Sequence, residues 1–63
     1  MRKLTYLIVP NEGNYYHVEF ITDREPKWTE EQFLRHRRGY KMEMLSDEET
    51  EEKIPISREV KLG

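Results

Sequence analysis

"KLTYLIVPNEGNYYHVEFIT" occupies residues 3–22, and its reading decides the fold. Residues 3–9 are β-branched, aromatic and apolar, the composition of a strand, and they end at Pro10. The connector "PNEGN" supplies the Asn and Gly that a turn requires. Residues 15–22 then alternate, with Tyr16, Val18 and Phe20 on one face and Tyr15, His17 and Glu19 on the other. Two such runs joined by a short Gly-containing loop predict an antiparallel β-hairpin. The first strand is apolar on both faces: Leu4, Tyr6 and Ile8 oppose Leu7 and Val9. A strand of that kind needs cover on both sides. One short helix supplies one layer, so the second face is left to the C-terminal tail, another subunit or an outside partner.

Outward from the hairpin, "TDREP" ends the second strand, since Asp23 and Pro26 are poor strand residues. "KWTEEQFLRHRRG" predicts a helix of two to three turns. Thr29 stands as N-cap with Gln32 three residues on, a capping box, and Trp28 and Phe33 have hydrophobic-staple spacing. Glu30 and Glu31 then fall in the first turn and Arg35, Arg37 and Arg38 in the last, as the helix dipole favours, with Gly39 as the left-handed stop. "YKMEML" alternates again and reads as a third strand, with Tyr40, Met42 and Met44 on one face. The acidic run "SDEETEEK", residues 46–53, carries no apolar stripe and reads as a solvent-exposed segment. Residues 54–63 place Ile54, Ile56, Val60 and Leu62 at even spacing, interrupted by Arg58, and form either a fourth strand or a loosely docked arm. The expected fold class is therefore α+β in one small domain, residues 1–63. A small, largely antiparallel sheet (β-β-α-β with or without a fourth C-terminal strand) carries one short helix on one face. Trp28, Phe33 and Leu34 are expected to meet Tyr16, Val18, Phe20, Tyr40, Met42 and Met44.

Composition narrows the function. The 63 residues are 35% hydrophobic and 38% charged with a net charge of −2, enough for one thin core. The absence of cysteine excludes disulfides, thiolate zinc sites and thiol catalysis, and favours a cytoplasmic setting. The apolar run in "MRKLTYLIVP" is too short for a signal-peptide core, and no later stretch approaches a membrane-spanning length. The glycines at 13, 39 and 63 are too scattered for a phosphate-cradling loop. His17 beside Glu19 could act as base and orienter, and His36 could join them as metal ligands. No nucleophile or ligand spacing supports either reading, so no catalytic, cofactor or metal site is assigned.

Two readings remain. The first is a non-enzymatic module that binds another protein, itself included as a homodimer, through Leu7, Val9, Tyr15 and Ile21 and through the acidic Asp47, Glu48, Glu49, Glu51 and Glu52. The alternative is a small nucleic-acid-binding regulator using Arg35, Arg38, Lys27 and Lys41. A slightly acidic chain with one short helix and no preceding partner helix argues against the alternative. In size and charge density the chain resembles small accessory or regulatory proteins of bacteria, phages or mobile elements.

Overall fold

The computed structural model describes residues 1–62. Four strands and a helix follow in the order β1 (Arg2–Val9), β2 (Tyr16–Thr22), α1 (Pro26–Leu34), β3 (Lys41–Glu49) and β4 (Ile56–Val60). The strands form one antiparallel sheet in the order β3-β1-β2-β4, so the expected hairpin is the centre of the sheet and the two later strands flank it. Gly63, the last residue of the expected tail, lies outside the described residues.

Pairing registers assign every strand residue to a face. Leu4, Tyr6 and Ile8 of β1 share a face with Val18 and Phe20 of β2, and these five buried side chains are the core. Phe33 of α1 packs on them edge-to-face, its ring 5.7 Å from that of Phe20, and Phe20 meets Tyr6 in the same manner at 5.8 Å. Tyr16, Tyr40 and Met42 close the rim. The Tyr6 hydroxyl donates a 2.8 Å hydrogen bond to the Glu30 carboxylate, tying helix to sheet. Burial, then that bond, pushes the Tyr6 phenol well above its ordinary pKa.

The helix departs from the expected capping. It begins at Pro26, three residues before Thr29, with Glu25 at the N-cap and no side-chain cap. Proline suits this position, because its fixed φ is helical and its missing N–H is one the helix cannot use. Thr29 is instead buried within the helix, and its hydroxyl donates to the Glu25 carbonyl at 3.2 Å. There is consequently no capping box with Gln32, and Glu30 and Glu31 lie beyond the first turn. At the other end the helix stops at Leu34, so Arg35, Arg37 and Arg38 follow it rather than form its last turn. Arg37 folds back: its guanidinium lies 4.0 Å over the Phe33 ring and donates to the Phe33 carbonyl at 2.8 Å. Gly39 has the predicted left-handed conformation, φ +79°, and a Cβ there would meet Asn11 Oδ1 at 2.8 Å. The hairpin loop and the α1–β3 turn thus touch where only glycine fits. Trp28 stays 44% exposed beneath the Arg24 guanidinium, and Met44 38% exposed, so neither joins the core.

The acidic run also departs from its expected form. β3 continues through Ser46–Glu49, pairing with Arg2–Thr5, and only the part from Thr50 onward leaves the sheet. A bulge between Thr5 and Tyr6 leaves Leu45 without a partner and reverses the phase of β3. Asp47 therefore falls on the helix side, where Arg2 donates to both of its carboxylate oxygens at 2.8 and 3.2 Å. The tail forms β4 and extends the sheet beside β2. It does not cross the face opposite the helix, which among the described residues has no second layer.

Candidate functional site

The face opposite α1 is built from the odd-numbered residues of the central hairpin and their partners on the flanking strands. Val9 pairs with Lys41, and Leu7 lies between Glu43 and His17, with Val60 beyond His17. Next comes the row Ser46, Thr5, Glu19, Arg58, then the row Glu48, Lys3, Ile21, Ile56. Alternation alone directs these side chains away from the helix.

Polar residues in the middle of this face are organised. Glu19 is only 11% exposed at its side chain and accepts a 2.6 Å hydrogen bond from the Arg58 guanidinium. Lys3 Nζ lies 3.8 Å from Glu19 on one side and 3.8 Å from Glu48 on the other. Glu48, Lys3, Glu19 and Arg58 thus form a continuous ladder across all four strands, with charges alternating and summing to zero. Glu19 holds the Arg58 guanidinium above its ordinary pKa through the hydrogen bond first and its charge second. Because the ladder satisfies itself, it can be covered without leaving an unpaired charge.

Apolar residues flank the ladder at both ends. Leu7 and Val60 are half-buried, while Val9 and Tyr15 are exposed; the Tyr15 ring meets the His17 ring edge-on at 5.9 Å. At the far end Ile56 is partly exposed, and Ile54 beyond it is open to solvent. Ile21 must be withdrawn from the expected patch. It lies in this face but is 1% exposed, flanked in register by Lys3 and Ile56, and offers nothing to a partner.

The acidic candidates separate. Asp47 is engaged by Arg2 on the helix side, Glu48 belongs to the ladder, Glu49 ends β3 opposite Arg2, and Glu51 and Glu52 lie past the strand. The basic candidates separate as well. Lys41 stands on the open face beside Val9, Lys27 at the start of α1, and Arg35 and Arg38 beyond its end. A nine-residue helix is about 13 Å long, so Lys27 and the two arginines occupy opposite ends of it. Among the described residues none of these four makes an ion pair, whereas Arg2, Lys3, Arg24 and Arg58 do.

His17 and Glu19 share the open face, but Glu19 is engaged by Arg58 and Lys3, and His36 lies past the end of α1. No group of three potential metal ligands occurs among the described residues. A groove of about 420 Å³ runs between α1 and the β2–β4 side of the sheet, lined by Trp28, Thr29, Phe33, Arg37 and Ile56 among others. It gathers aromatic surface, but no pair of reactive groups. Among the described residues no helix is long and apolar enough to cross a membrane.

Of the four rungs Glu48 was among the expected partner-binding residues; Lys3, Glu19 and Arg58 were not. Arg58 had a signal: it interrupts the even apolar spacing of the tail at the position that pairs with Glu19. In comparisons with known proteins, no family model, curated relative or solved structure matches this chain.

Proposed function

We propose that this protein is a non-enzymatic interaction module of accessory or regulatory type that binds another protein through the sheet face opposite α1. The observation that carries the reading is that face itself. It is a four-stranded surface with exposed Val9 and Tyr15 and half-buried Leu7 and Val60, and its central charges are already paired. An apolar margin around a self-neutralised centre suits a protein surface better than a phosphate backbone, which calls for a net positive field. The scatter of Lys27, Lys41, Arg35 and Arg38 supports the same choice. A cytoplasmic setting belongs to this reading and rests on the cysteine-free composition.

The test is differential capture. Immobilised wild type and a Tyr15→Glu variant are exposed to extract of the source cell, and retained proteins are quantified. The reading predicts proteins held by the wild type and lost from the variant. It is overturned if both retain the same set. Parallel titrations with duplex DNA and single-stranded RNA at low salt are expected to show no retention.

A further inference from the structure

We infer that the occupant of the open sheet face is a second copy of this chain, related by a two-fold axis that runs along the strands between β1 and β2. This deepens the proposed function and rests on its reading of that face.

Surface area is the first argument. The chain exposes 5020 Å² at a mass of 7.8 kDa. A compact monomer of that mass exposes roughly 4,400 Å². The surplus of about 600 Å² approaches the roughly 800 Å² that each partner contributes to a standard interface. The molecule is also a slab only 16 Å thick in its shortest dimension, one sheet and one partial helical layer. Pairing two slabs face to face makes the sheet a buried middle layer, the usual arrangement for strands apolar on both faces.

Charge order is the second argument and selects the occupant. Across the sheet the ladder runs Glu48, Lys3, Glu19, Arg58, or minus, plus, minus, plus. Reversing that order exchanges every sign. A two-fold axis along the strands keeps each residue at its own level, so it lays β3 over the partner's β4 and β1 over the partner's β2, with Glu48 one row from the partner's Arg58 and Lys3 one row from the partner's Glu19. Each charge keeps its internal neighbour and has an opposite charge of the partner one row away, the same offset that Lys3 spans to Glu19 within the chain, which an isologous interface can supply with one patch. The same axis lays the partner's His17 over Leu7, since the two pair in register, and brings the partner's Tyr15, just before β2, toward Val9 at the end of β1.

Sedimentation equilibrium of the full chain tests the assignment from about 10 µM to about 1 mM, where an interface of standard size and modest affinity associates. The expected mass rises from 7.8 kDa to twice that value. Val9→Glu, at a position already 42% exposed, should weaken association about tenfold or more with an unchanged far-UV spectrum. Charge exchange tests the axis. Glu48→Lys and Arg58→Glu should each dimerise more weakly than wild type, yet pair with each other more tightly than either does with itself. A wild type that stays monomeric throughout overturns the second-copy assignment and passes the face to a different protein, leaving the capture experiment to decide the broader reading. A dimer that Val9→Glu leaves unweakened, or a mixture of folded charge variants that gains nothing, also overturns it.

Discussion

The two faces of this sheet come from the same four strands and solve burial in different ways. On the helix side, Leu4, Tyr6, Ile8, Val18 and Phe20 are sealed by Phe33, and the buried Tyr6 hydroxyl finds Glu30. On the other side, the middle of the sheet is shielded by a ladder of charges, and the apolar residues are left at its ends. The first face is held by packing against α1. The second is held by ion pairs that leave its centre neutral and its margins partly apolar. Under the proposed function, stability and recognition fall on opposite sides of a sheet one residue thick.

The largest predicted effect falls on the packed face. Leu4→Ala removes a fully buried side chain and is expected to cost about 2–5 kcal/mol. A domain of this length holds only roughly 3–9 kcal/mol in total. Urea unfolding should therefore show a variant that is barely folded or unfolded at room temperature. On the open face, Glu19→Gln leaves Arg58 and Lys3 without their shared carboxylate. It should cost about 1–3 kcal/mol, less than the core change. Hydrogen exchange should locate the loss first in β4, which Arg58 ties to β2. An equal loss from both substitutions would erase the distinction between the faces.

Tyr6 gives the packed face a pH signature. Its protonated form is favoured in the fold, so its contribution is complete below about pH 10, the ordinary phenol value, and is lost as pH rises above it toward the raised folded value. Alkaline titration followed by tyrosinate absorbance should show a late phenol that disappears in Tyr6→Phe. The smallest effect is expected at Gln32. With no capping box to break, Gln32→Ala should change stability by less than about 0.5 kcal/mol, whereas a working box would have cost about 1.

Much of the fold was legible because alternation and turn residues are local signals. The hairpin, the presence of one helix and the direction of Met42 followed from them. The helix start did not, because Thr29 and Gln32 imitate a capping box while Pro26 opens the helix one turn earlier. The length of β3 was hidden by the bulge at Leu45: once the phase reverses, the acidic residues no longer continue the pattern of "YKMEML". Half of the candidate site was legible for the same local reason. Leu7, Val9 and Tyr15 declare their face by parity, but burial of Ile21 and the bridging role of Lys3 depend on which strands become neighbours. The order β3-β1-β2-β4 is a tertiary fact.

The central claim is that contacts are made through the open face and not through the helix side. An isotope-filtered nuclear Overhauser experiment on a mixture of labelled and unlabelled chains tests it most directly. The account predicts intermolecular signals from the methyl groups of Leu7 and Val9 to the rings of Tyr15 and His17. Intermolecular signals confined to Trp28, Met44 or other residues of the helix side would contradict it.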